Sequence, residues 1–231
     1  MRMQMERLQI QFILLQEYHV NMNYYSYVIE HDFGLAPNPF GGYCTLTVCK
    51  PLIRKSRNLQ IGDWIIGTGS ISMEKYFKVK LRNHLIYAMK VSEIIPLEEY
   101  WHDKRFQCKK PILNGSLPLM YGDNFYHKDK HGNWIQEDSA HSNSDGSINI
   151  QHLQTDTGGK NAIISEHFYY FGRTAPLLPQ SLHKICRGGR GQKKLSEEQG
   201  MEFLSWLTSE FQHKIYGRPI NWMIYDQQKL F

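Results

Sequence analysis

Apolar positions in this chain fall mostly into short runs rich in aromatic and β-branched residues, and only near the end into a helical spacing. The runs 24-YYSYVIE-30, 43-YCTLTVC-49, 63-DWIIGT-68, 84-HLIYAMKV-91 and 163-IISEHFYYF-171 predict strands. Turn signals at Asn38-Pro39, Gly41-Gly42 and Gly62-Asp63 punctuate the first half, which reads as β-dominated. The stretch 96-PLEEYW-101 predicts one or two helical turns. Residues 197–215 predict the one long helix, with Met201, Leu204, Leu207, Phe211 and Ile215 on one face and Ser196 with Gln199 as a capping box.

Polar stretches complete the layout. Residues 111–160 carry turn signals at Asn114-Gly115, Gly122-Asp123, Gly132-Asn133, Asp145-Gly146 and Gly158-Gly159, which predict a long loop-bearing insertion. Within it, 127-HKDKHGNW-134 reads as a hairpin. A Gly-rich basic run, 187-RGGRGQKK-194, precedes the long helix. Residues 1–21 read as a short amphipathic helix or a disordered arm outside the fold, and residues 22–231 as a single domain that includes the C-terminal helix. No internal repeat is visible.

Composition narrows the class. A chain of 231 residues, 41% apolar and 13% aromatic, can build a substantial core. No apolar run approaches the roughly eighteen residues of a membrane helix, and the opening residues make a poor signal peptide. A cytoplasmic protein with no membrane partner is expected. Cysteines 44, 49, 108 and 186 show no Cys-x-x-Cys spacing, which argues against a zinc ribbon and a disulfide scaffold and fits reduced thiols. The net charge of +5 is unevenly spread: residues 50–110 hold 13 Lys and Arg against 6 Asp and Glu, and 123–156 hold 6 acids against 2 Lys. A positive face attracts phosphate.

The segment 31-HDFGLAPNPFGGYCTLTVCK-50 admits several readings. As structure, it is a loop shaped by Pro37, Pro39 and a Gly-Gly turn between two strands, with Asn38 driven toward extended backbone by the following proline and Cys49 a small buried hydrophobe. As chemistry, His31 lowers the pKa of Cys44 across the turn while Asp32 orients the imidazole. Asp138, Ser139 and His141, followed by His152 and Asp156, are further polar candidates from the insertion. As a metal site it is weakest: His127 and His131 are four apart but on a hairpin, so no metal site is expected and no cofactor can be named. As a binding site, Trp64, Tyr87, Tyr100 and Trp101 offer rings, and Asn38, Thr68, Gly69 and Ser70 offer small polar edges, the glycines at 67 and 69 opening a pocket. Lys50, Arg54, Lys55 and Arg57, with Arg187, Arg190, Lys193 and Lys194, are candidates for phosphate contacts.

Two resemblances extend this reading. The segments 61-IGDWIIGTGS-70 and 84-HLIYAMKVSEIIPLEEYWHDKRF-106 resemble the PUA-like β-barrels of EVE, YTH and ASCH domains, in which such strands flank a base-binding pocket. Tyr27–Lys50, Gly62–Ser70, His84–Val91, Asn114-Gly115-Ser116, Tyr121-Gly122-Asp123-Asn124, Asp138-Ser139, His141-Ser142 and 168-FYYFGR-173 together resemble the nucleotide modification associated domain 2 family. That resemblance implies a β-rich domain of bacteria and phages acting in base modification or its recognition. The expectation is therefore an α+β, mainly β, PUA-like barrel with a polar insertion, working on nucleotides or nucleic acid in a base-modification or phage-defence setting. Recognition stands slightly ahead of a base-modifying enzyme that uses His31, Asp32 and Cys44, and a scaffold subunit with a protein partner is the third class.

Overall fold

The computed structural model describes residues 22–186, 189 and 191–228; the arm expected over residues 1–21 and the phosphate candidates Arg187 and Arg190 lie outside the described residues. The strands are β1 (Tyr24–Ile29), β2 (Cys44–Leu46), β3 (Trp64–Gly69), β4 (Leu85–Lys90), β5 (Glu93–Pro96), β6 (Tyr126–Lys128), β7 (Trp134–Gln136), β8 (Asn161–Ser165), β9 (His167–Tyr170) and β10 (Gln192–Lys194). The α-helices are α1 (Pro51–Arg54), α2 (Ile71–Phe77), α3 (Leu97–His102), α4 (Leu117–Met120), α5 (Ile150–Thr157), α6 (Glu197–Glu210) and α7 (Met223–Gln228).

Period-two alternation sorts the strand side chains onto two faces of a central sheet ordered β10-β1-β3-β4-β9. Tyr25, Tyr27, Ile65 and Met89 point to one side, where they pack with Cys44, Leu46 and Ile163 of a second sheet ordered β2-β8-β5. Tyr24, Trp64, Ile66 and Ala88 point to the other, against Phe203 and Leu207 of α6. The far face of the second sheet, Ala162 and Ile164, is covered by Leu97 and Tyr100 of α3 and by Phe106. The layers thus run α6, central sheet, second sheet, α3, each burying the apolar face that its pattern creates.

This mixed α/β architecture differs from the expected barrel. Among the described residues the sheets are open: β1 and β3 pair in parallel, the two edges of the central sheet are β10 and β9, and these do not pair with each other. The run 163–171 is two strands: β8 belongs to the second sheet and β9 to the central one, with Glu166 at the crossing. The capping box forms as expected, but α6 ends at Glu210 because Phe211 turns extended and packs its ring 4.8 Å from that of Phe171. The insertion is ordered into α4, the β6–β7 hairpin and α5.

Most of the strand expected to border a base pocket is packed into the core, while its end, Gly69 with Ser70, lines a cavity of about 380 Å³ together with Arg82, Asn83 and His183. Trp64, Thr68 and Tyr87 are buried, and Tyr87 hydroxyl meets that of Tyr27 at 2.7 Å. Ser70 caps α2 by accepting from Met73 N–H at 3.1 Å. Neither Gly67 nor Gly69 has a left-handed φ; a Cβ at Gly67 would overlap the Tyr87 ring, and one at Gly69 the Leu81 carbonyl. Glycine is required at both positions for close packing, and Gly69 also borders that cavity. Gly69→Val should therefore destabilise the protein by about 2 kcal/mol or more, read as a lower urea midpoint; an unchanged midpoint would contradict the packing account.

Candidate active site

After β2 the chain makes a sharp turn into α1. Cys49 (φ 53°) and Lys50 (φ 42°) are both left-handed, a conformation disfavoured for residues with a Cβ, and Pro51 then starts α1. Surrounding groups hold the turn in place. Cys49 N–H donates to Asp156 Oδ1 at 2.6 Å, and Cys49 C=O accepts from Arg54 Nε at 2.9 Å. The buried Arg54 guanidinium also donates to the carbonyls of Thr47, Asp156 and Asn161. Gly159 makes room for it, since a Cβ at that position would overlap the guanidinium. Strained backbone fixed this firmly is a recurrent feature of functional sites.

The Asp156 carboxylate, near the end of α5, reaches three groups besides the helix. Its Oδ2 accepts from Tyr126 hydroxyl at 2.9 Å and from His141 Nδ1 at 2.7 Å. On the other edge of the His141 ring, Nε2 lies 3.9 Å from Cys49 Sγ. Carboxylate, imidazole and thiol therefore form one line. Gln136 supports it, donating to Tyr126 hydroxyl at 3.0 Å and to His141 C=O at 3.2 Å. Burial alone lowers the pKa of His141, but the bond to Asp156 and the contact with Cys49 outweigh it and push the ring up to about 9. Burial alone raises the Asp156 carboxyl, but His141 and Arg54 bring it below the usual carboxylate range. At neutral pH an imidazolium faces the sulfur. His152, four residues before Asp156, places its ring 4.2 Å from that of His141; partial burial and the His141 charge lower its pKa below the ordinary imidazole value.

Cys49 lies in the wall between two cavities. One, of about 530 Å³, runs along β1 and α1 to α5 and is lined in part by Tyr27, Leu52, Gln151 and Thr155. The other, of about 490 Å³, opens beside His31, Phe33, Tyr121 and Ala140. Glu30, Cys49, Lys50 and His152 line both. Cys49, His141 and Asp156 also present donor atoms within 4.8 Å of one another, but both Asp156 oxygens are engaged by Cys49 N–H, His141 and Tyr126.

The sequence-predicted residues separate into distinct groups. His141 stands in the line; His31 is exposed at the mouth of the second cavity; Lys50 lines both, its Nζ 3.3 Å from Val28 C=O and 4.5 Å from the Tyr27 ring centroid. Cys44 faces the core between the sheets, its Sγ 3.9 Å from Met89 Sδ, and burial pushes its thiol up to about 12, so it is a packing residue without an imidazole. Asp32 is buried and ties the chain's two ends: its carboxylate accepts from Tyr170 hydroxyl at 2.5 Å and Ile220 N–H at 2.9 Å. Asn38 is likewise internal, donating to Tyr121 C=O and accepting from the buried Lys109 ammonium at 2.8 Å. Arg54 is a clamp with no face for phosphate, whereas Lys55 and Asp138 are exposed. Cys49, read from the sequence as a small hydrophobe, is the thiol that meets a histidine. The adjacent Lys-Pro is the only local hint of its strand-to-helix turn.

Fold and site together describe a mixed α/β domain with a thiol–imidazole–carboxylate line at the junction of two cavities. The chain matches the family model described as nucleotide modification associated domain 2 over residues 21–226 and belongs to that family. Comparison with curated proteins and with solved structures returns no match.

The His141–Asp156 pair has a pH signature. Its folded-state pKa lies above the ordinary 6.5, so the stabilisation is fully present below pH 6.5 and is lost as pH rises through about 9. Wild type should lose about 2–3 kcal/mol relative to His141→Gln across that window. Urea unfolding at pH 6 and pH 9.5 measures this, and parallel pH profiles for the two proteins would refute it.

Proposed function

We propose that the protein is a nucleotide-modifying enzyme that carries an acyl group on Cys49, in the bacterial or phage base-modification setting that the family implies. The observation that supports it is the line Cys49 Sγ, His141 Nε2, His141 Nδ1, Asp156 Oδ2. Cysteine reacts as its thiolate, and the His141 ring, whose pKa is pushed up to about 9, is the group that faces this sulfur. The thiolate attacks the carbonyl carbon of an ester, amide or thioester donor; the leaving group departs with the proton of His141, and a thioester remains on Cys49. Neutral His141 then accepts the proton of the incoming hydroxyl or amine as the thioester is cleaved. Asp156 keeps Nε2 aimed at sulfur and stabilises the charged ring. Cys49 N–H is committed to Asp156, so it does not serve the oxyanion. Lys50 lines both cavities and supplies positive charge for a nucleotide phosphate. A domain that only recognises bases has no use for a thiol held in this line, which places catalysis ahead of recognition.

Intact-protein mass spectrometry after brief exposure to p-nitrophenyl acetate tests this. One hydroxylamine-labile acetyl group should appear on Cys49, at least about tenfold faster than on the exposed Cys108. His141→Gln should slow it about a hundredfold or more, and Cys49→Ser should abolish the thioester. Equal labelling of Cys49 and Cys108 would rule out the enzyme reading.

A further inference from the structure

The second cavity is bordered by an aromatic stack with an open end. Phe40 lies on Trp222 (centroids 5.4 Å, 10° between planes), Trp222 on Tyr121 (6.3 Å, 28°), Tyr121 on Phe33 (5.0 Å, 22°) and Phe33 on His31 (6.3 Å, 25°). Four of these five rings are held by their neighbours in a satellite core beside the sheets. The fifth, His31, is exposed and lines the cavity mouth. Such a stack offers one more flat ring a surface already ordered, and nucleobases bind aromatic surfaces in this way whatever their identity.

The first cavity has different walls. Tyr27 is turned into the core with its hydroxyl bound to Tyr87, and the rest of the lining includes aliphatic Val28, Leu52 and Ile53 beside Gln151 and Thr155. It has room and mixed polarity, and its rings, Tyr27 and His152, are already in contact with Tyr87 and His141, without the run of stacked rings that borders the second cavity; this suits a flexible chain better than a base.

We propose that the two cavities hold the two partners of a transfer reaction: a nucleotide in the second, its base extending the stack from His31, and the acyl donor in the first. This inference rests on Cys49 as the acyl carrier. Cys49 lies in the shared wall, so the group that sulfur takes from a donor on one side is within reach of a nucleotide on the other. The reaction is a double displacement. Donor carbonyl bonds to sulfur as the leaving group takes the His141 proton; a hydroxyl or amine of the bound nucleotide then displaces sulfur and returns a proton to His141. Lys50 lines both walls, its ammonium resting against Val28 C=O and the Tyr27 ring on the side of the first cavity.

Two measurements on the full chain separate the cavities. Calorimetric titration with the four 2′-deoxynucleoside 5′-monophosphates reads the second cavity without requiring chemistry, and the acetylation rate of Cys49 reads the first. His31→Ala should weaken nucleotide binding about tenfold, and His31→Tyr, which keeps a ring, should hold it within about threefold of wild type. Thr155→Trp, at an exposed position in the first cavity, should slow acetylation about tenfold or more while moving nucleotide affinity far less; Leu52→Trp, also exposed, is the second variant for that wall. The cavity assignment is overturned if no nucleotide binds, if His31→Ala and His31→Tyr bind alike, or if the Trp variants block nucleotide and not acetylation. Rapid Cys49 acetylation alongside any of those results would leave the acyl-enzyme standing. Slow Cys49 acetylation with intact His31-dependent nucleotide binding would instead remove the acyl-enzyme, and with it the transfer.

Discussion

The buried Asp156 carboxylate is the interaction on which the rest of the site depends. Its two oxygens receive Cys49 N–H, His141 Nδ1 and Tyr126 hydroxyl, and its own backbone carbonyl receives Arg54. One side chain thus joins α5, the turn after β2, the β6–β7 hairpin and the loop that carries His141. A carboxylate taken out of water is costly unless charge and hydrogen bonds replace the solvent. Here the replacements are also the functional groups: the backbone of the thiol-bearing residue and the ring that faces its sulfur. Burial and the geometry of the Cys49–His141–Asp156 line are consequently one constraint, and relaxing either disturbs the other.

The layered fold explains why this junction sits where it does. β1 lies in the central sheet and β2 in the second, and the apolar faces between them close the core beneath Cys49. The turn cannot continue as a strand, because the left-handed pair at Cys49 and Lys50 directs the chain into α1. Arg54, the buried last residue of that helix, holds carbonyls from both sides of the turn and from the end of α5. The sulfur is left between two cavities with a fixed backbone beneath it. This is the rigidity that the proposed acyl carrier requires.

Much of this could be read from the chain and some could not. Strand positions β1, β3 and β4, the capping box of α6 and the hairpin in the insertion follow from local pattern, since each depends on residues close in sequence. The division of 163–171 between two sheets does not, because its apolar run is continuous and only long-range pairing separates β8 from β9. The same limit governs the site. Cys44 and Cys49 both lie in one apolar run, and nothing local indicates that one ends in the core at 0% exposure while the other turns out toward His141. His141 and Asp156, fifteen residues apart in a polar insertion, were visible as candidates; their meeting with Cys49, roughly a hundred residues earlier, required the fold. A positively charged stretch misled for a physical reason: Arg54 lies in a basic run, yet its guanidinium is wholly spent on backbone carbonyls.

The charge state of His141 tests the account most directly, because it reports the carboxylate, the ring and the sulfur together. An NMR titration of the His141 ring in the intact protein should give a pKa of about 9. Asp156→Asn removes the carboxylate charge while keeping most of the volume, and should lower the pKa of the ring, since burial is then opposed only by the contact with Cys49. A wild-type His141 that titrates at or below 6.5, or one that Asp156→Asn leaves unmoved, would contradict the claim that a buried carboxylate prepares an imidazolium for Cys49.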